Sequence, residues 1–229
     1  MKLESNARVA GGFVLFSLLL TGAGYALVFF MQFKGGFHFM NLVSIAFMSG
    51  PPMLRLVGIA ILLFAFAGRI GKPSSSSAPF ILAGILIMVG VAFELLPLIR
   101  VIIIMVRNFD ISQLAQFGLH RGPHILSALL ISIFAFKQGR GASSKTMAKV
   151  IAGLCLILVV LLIFNIAQVF RWSNTTSNAM WLTCSLLMAF GLIITNTGVA
   201  TFMLSFISSK SDSSESDPME PVEVEIGLD

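Results

Sequence analysis

The sequence predicts an all-α integral membrane protein, a bundle of six transmembrane helices with both termini in the cytoplasm and short interfacial or re-entrant helices on the outer side. Three observations lead there. Of 229 residues, 57% are apolar and only 11% charged, and the mean hydropathy is +0.96, whereas a soluble domain carries charge on about a quarter of its residues. The apolar residues come in uncharged runs, and about 20 helical residues suffice to cross a hydrocarbon core of about 30 Å. The short segments between the runs hold Lys and Arg unevenly, which orients the chain.

The expected spans are 9–32, 53–70, 79–106, 122–137, 149–170 and 179–207. The first follows Lys2 and Arg8 and resembles the start of a signal peptide. Its apolar run continues past the weak cleavage signal Gly24-Tyr25-Ala26 through Phe29, Phe30 and Met31, so the expectation is an uncleaved helix. Within it Ser17 and Thr21, and Gly22 and Ala26, put small residues at four-residue spacing, which suits close helix packing. Between the first two spans, Phe37 to Met48 is apolar except for His38, Asn41 and Ser44, a polar stripe at helical spacing. Twelve residues cover only about 18 Å of helix, and Ser49-Gly50-Pro51-Pro52 is expected to break the chain after them. The segment therefore predicts a separate helix, interfacial or, alternatively, re-entrant with its stripe lining a cavity.

Gly71-Lys72-Pro73 and Ser74 to Ser77 form a cytoplasmic turn that lacks the upstream glycine of a phosphate-binding loop. The third span has 28 residues, about 42 Å of helix. The outer segment Asp110 to Gly118 opens with an N-cap acid, has Gln113 three residues on and closes on a glycine, so a short interfacial helix is expected there. The apolar heart of the fourth span, Pro123 to Phe136, has only 14 residues, about 21 Å. Charge decides whether it crosses. With six crossings the cytoplasm receives Lys2, Arg8, Arg69, Lys72, Lys137, Arg140, Lys145, Lys149 and Lys210, and the outside receives Lys34, Arg55, Arg107, Arg121 and Arg171. Without the fourth crossing the count of nine inside against five inverts, contrary to the positive-inside rule.

Polar residues at membrane depth carry the functional expectation. Glu94 is the one carboxylate inside an apolar run, and an intramembrane acid is poorly solvated when charged. Counted up the third and fifth helices from the cytoplasm and down the fourth and sixth from outside, Glu94, Asn165, Gln168, His124 and Thr183 fall in one layer near the outer surface, with Arg100 and Arg171 just above. Pro97 leaves the Phe93 carbonyl without its helical donor and predicts a kink beside Glu94. The layer reads either as a structural tie, with Glu94 bound to Arg100 or Gln168, or as a site for a solute, ion or proton. His120 and His124 have metal-pair spacing, but no third ligand stands near in sequence, and no metal or other cofactor is expected. No catalytic residues are expected either, since no nucleophile, base and orienter set is present.

The domain organisation is a transmembrane unit over 1–210 and an acidic cytoplasmic tail over 211–229, which holds seven of the ten acidic residues and too few apolar ones to fold alone. The basic residues are scattered singly, which excludes a nucleic-acid surface. Cys155 and Cys184 sit in apolar runs as small buried hydrophobes. Asn174-Thr175-Thr176 fits a glycosylation acceptor in a very short outer loop. With short loops and one intramembrane acid, the expected role is a noncatalytic subunit, scaffold or assembly factor of a membrane complex. The alternative is a small-solute, ion or proton transporter or channel using Glu94 in the outer half of the membrane. The expected partners are the lipid bilayer and a membrane protein or a second copy of the chain, in a plasma membrane or bacterial inner membrane.

Overall fold

The computed structural model describes residues 2–33, 39–69, 77–107, 111–142, 144–173 and 179–209. They form six helices: α1 (Lys2–Phe33), α2 (Phe39–Arg69), α3 (Ala78–Arg107), α4 (Ile111–Gly139), α5 (Lys145–Ser173) and α6 (Ala179–Ser209). Among the described residues there is no strand. Five helices contain stretches long and apolar enough to cross a membrane: Leu3–Met31, Ser49–Gly68, Ala78–Leu96, Lys145–Gln168 and Ala179–Ser209. Their outward faces are apolar, with Leu19 and Val160 69% and 67% exposed, an arrangement that lipid tolerates and water does not.

The helices form a closed ring in chain order, each packed against its neighbours in sequence, with α6 returning to α1. Each turn reverses the chain direction. Pairing Gly11 with Phe64 and Gly22 with Met53 makes α1 and α2 antiparallel, and Gly84 with Ser132 together with Ile81 with Gly139 does the same for α3 and α4. The ring closes where Asn6 donates to Ser205 at 2.7 Å, so the first turns of α1 and the last turns of α6 lie at one end of the bundle.

The turn between α4 and α5 is made by a glycine. Gly141 has φ +76, the left-handed region, and the N–H groups of Gly141 and Ala142 return to the carbonyls of Gln138 and Lys137 at 3.0 and 2.9 Å. Those are the paired bonds of a Schellman ending. Two residues later Ser144 accepts from the Met147 N–H at 3.2 Å and caps α5.

Two expected breaks do not occur. The chain stays helical through Ser49-Gly50-Pro51-Pro52, so the expected short helix before the second span is the first part of α2. It also stays helical through Gly118 and Pro123, so the expected interfacial helix from Asp110 is the first part of α4. An internal proline removes one backbone donor, and neighbouring packing in a membrane bundle absorbs that loss more readily than water does. Glycine lowers helix propensity by only about 1 kcal/mol and is no stop without a left-handed turn to follow.

Packing is densest at two places. At the end shared by the termini, the Phe66 ring of α2 contacts Phe80, Phe134, Phe202 and Phe206, at centroid separations of 5.1, 6.0, 4.9 and 5.7 Å. Along the α1–α6 seam, Ser17 donates to the Gly191 carbonyl at 2.5 Å and receives the Thr195 hydroxyl at 2.6 Å. The small residues expected to pack a neighbour thus divide, Ser17 and Thr21 meeting α6 and Gly22 meeting Met53 of α2. A Cβ on Gly191 would stand 2.5 Å from Thr21 Oγ1 and 3.1 Å from the Ser17 carbonyl oxygen. Gly191→Val is therefore expected to destabilise the bundle by about 1–3 kcal/mol, read as a lower melting temperature in detergent. A melting temperature at or above that of the parent would show that the seam does not need the glycine.

Candidate functional site

On the far side of the Ser17–Thr195 contact from the termini lies a chamber of about 380 Å3 to which every helix contributes. Thr21 and Tyr25 come from α1, Pro52 and Arg55 from α2, Glu94 from α3 and His124 from α4. Leu162 and Asn165 of α5 and Met188 and Leu192 of α6 complete the wall. Successive polar residues on α1 are four apart, and Leu162 with Asn165 are three apart, so helical periodicity turns each pair inward together.

The charged centre is an ion pair. Arg55 Nη2 lies 2.9 Å from Glu94 Oε1, and the two side chains are 12% and 10% exposed. Gly90, one turn before Glu94, makes the approach possible, because a Cβ there would sit 2.8 Å from both Arg55 Cγ and the Pro51 carbonyl oxygen. The pairing is ionic in geometry. Among the described residues Thr21 Oγ1 is buried without a hydrogen-bond partner, whereas the buried Glu94 Oε1 has the Arg55 guanidinium as its charge partner. Buried polar atoms are satisfied in nearly every native structure, and a water or a ligand in the chamber would supply the partner that the Thr21 hydroxyl lacks.

A smaller cavity of about 40 Å3 continues from the chamber toward the termini and shares Pro52, Arg55, His124 and Leu192 with it. Its remaining polar wall is Ser127, Thr195 and Asn196. At ~10–15 Å3 per water it has room for about three. Beyond it the bundle is closed by the Phe66 cluster.

Three of the residues expected to form a polar layer, Glu94, His124 and Asn165, stand on the chamber wall. Gln168 is half-buried and stands off that wall. Thr183 is turned away: it is exposed, and its hydroxyl bonds to the Ala179 carbonyl of its own helix at 2.9 Å. Hydroxyls in membrane helices commonly satisfy themselves on the preceding turn. Glu94 takes its charge partner from α2. Of the two expected partners, Gln168 does not reach the chamber, and the Arg100 side chain lies outside the described residues. His38, the side chains of Asn41, Ser44 and Pro97, the Asn174-Thr175-Thr176 triplet and the tail 211–229 also lie outside them. No cluster of three His, Cys, Asp or Glu suited to a metal occurs among the described residues. Cys155 and Cys184 are both buried thiols.

Arg55 is the residue that the sequence reading misplaced. The charge count assigns it to the outer side, although it stands two residues inside the span that starts at Met53. Its removal leaves the outer side with four basic residues against nine. Tyr25 and Thr21 were also missed as chamber residues, because hydroxyls in an apolar run give no sign of which face turns inward.

The chain matches no protein-family model, no curated protein and no solved structure.

Proposed function

We propose that this protein is a membrane transporter or channel subunit of small size, with the chamber at Arg55 and Glu94 as its solute or ion site. The six helices cross the bilayer with both termini in the cytoplasm, as the excess of basic residues on that side requires. The chamber then lies in the outer half of the membrane. One observation carries the reading: a nearly buried charged pair lines a cavity of about 380 Å3 built by all six helices. A scaffold subunit has no use for such a space, since a buried polar cavity costs stability unless something fills it. The second cavity and the phenylalanine cluster beyond it support access from one side at a time, because the chamber is plugged toward the termini.

Reconstitution into liposomes tests this directly. Labelled sodium, acetate, glycine and glucose are offered separately, and uptake of at least one above that of empty liposomes is expected, with loss in Glu94→Gln. Sidedness is read in a background without native cysteines. Asn165→Cys is expected to react with an impermeant thiol reagent added outside, and Ala142→Cys only after permeabilisation. Labelling of position 142 from outside overturns the orientation. An unreactive position 165 together with no uptake of any probe overturns the site.

A further inference from the structure

The chamber's chemistry goes further than a generic polar site. We infer that its ligand is a small zwitterion, an α-amino acid with a compact apolar side chain, which takes Glu94 as the partner of its ammonium and Arg55 as the partner of its carboxylate. This rests on the reading of the chamber as a solute site and adds the class of the solute.

Charge conservation is the first argument. Arg55 and Glu94 neutralise each other across 2.9 Å, with both side chains about nine-tenths buried. A lone cation that engages Glu94 leaves the pair's site with a net positive charge in a poorly solvating interior, and a lone anion at Arg55 leaves a net negative one. A zwitterion exchanges partner for partner. The two protein charges part, each meets an opposite charge on the ligand, and the sum stays at zero. In an α-amino acid both charged groups are carried by one carbon, so a single small molecule engages both protein charges once they part.

Hydrogen bonding is the second. Glu94, with Arg55 as its charge partner, and Thr21, whose hydroxyl is buried without one, both stand on the chamber wall. An ammonium group has three donors and no acceptor, which suits the carboxylate of Glu94 and the hydroxyl of Thr21, two acceptors on the same chamber wall. A carboxylate is suited to the guanidinium of Arg55, whose donors are fixed in a fork. The third argument is the rest of the wall. Pro52, Leu162, Met188 and Leu192 are apolar and leave room for a side chain that makes no hydrogen bonds of its own. A sugar or other neutral polyol would leave that surface poorly matched and would not use the two charges.

The test is ligand binding to the full-length protein in detergent, read by thermal stability at matched ionic strength. L-alanine, sodium acetate and methylammonium chloride are compared at millimolar concentration. L-alanine is expected to raise the melting temperature, because a ligand that binds only the folded state stabilises it. Acetate and methylammonium, each carrying half of the chemistry, are expected to bind at least about tenfold more weakly. The comparison needs no substitution, so it survives if Arg55 or Glu94 variants fail to fold. Where they do fold, Arg55→Gln and Glu94→Gln are each expected to abolish the response to L-alanine. Equal responses to acetate or methylammonium and to L-alanine overturn the zwitterion and leave a single-ion site standing. With sodium chloride and glucose run alongside, a response to either with none to L-alanine also overturns the zwitterion, leaving a cation site in the first case and a neutral-solute site in the second. No response to any of these, with position 165 closed to the thiol reagent, removes the site itself.

Discussion

Glu94→Leu is expected to destabilise the folded bundle by about 3–5 kcal/mol, the cost of leaving a buried partner charge without compensation. The charge left behind is Arg55, whose side chain is 12% exposed and held against α3 by the absence of a Cβ at Gly90. Arg55→Leu is expected to cost a similar amount for the mirrored reason. The two together are the informative case. A leucine pair of comparable volume carries no charge to desolvate, so the double variant Arg55→Leu/Glu94→Leu is expected to recover most of what either single change loses. Glu94→Gln should fall between, because the amide keeps shape and hydrogen bonding while leaving the guanidinium without a counter-charge. Unfolding of the purified protein in mixed micelles measures all four. A double variant no more stable than the single ones would show that the pair does not act as a unit.

The second large effect belongs to Phe66. Its ring is in contact with four other phenylalanines from α3, α4 and α6, and it is 5% exposed. In a membrane the gain from packing comes from close contact and not from escape from water, since lipid tails are as apolar as the core. Phe66→Ala removes those contacts at once and leaves a void that the facing helices close only in part. The expected loss is about 3–5 kcal/mol. Phe164, 60% exposed on the outer face of α5, is the control: Phe164→Ala is expected to stay within about 0.5 kcal/mol of the parent. Equal melting temperatures for the two variants would show that the Phe66 cluster does not hold the ring together.

The helix count illustrates what was legible. Uncharged runs of apolar residues leave the backbone one way to satisfy its donors and acceptors in lipid, so helices at 9–32, 79–106, 149–170 and 179–207 follow from the runs alone, and the helices found contain them. The breaks were less legible. Ser49-Gly50-Pro51-Pro52 and Gly118 carry the local chemistry of chain reversal, yet α2 and α4 run straight through them. Propensity is a local preference worth about 1 kcal/mol at a glycine, and packing across a whole helix outweighs it. Gly141, where the helix does end, differs in having a left-handed φ and two returning backbone bonds.

By itself the sequence determined that this is an apolar helical chain and where its uncharged stretches lie, and it predicted one layer for Glu94, His124, Asn165, Gln168 and Thr183, of which the first three share the chamber wall. Those properties depend on composition and on a rise of about 1.5 Å per residue, both local. Only the tertiary structure decided which faces meet. It brought Arg55 to Glu94, turned Thr21 and Tyr25 into the same chamber and sent Thr183 outward. The physical reason is rotational: each residue advances about 100° around its helix, so a partner is chosen by how the helix is turned. In an apolar chain that turn is set by small-residue contacts such as Gly90 against Pro51 and Gly191 against Ser17, and periodicity in the sequence is too weak to reveal it.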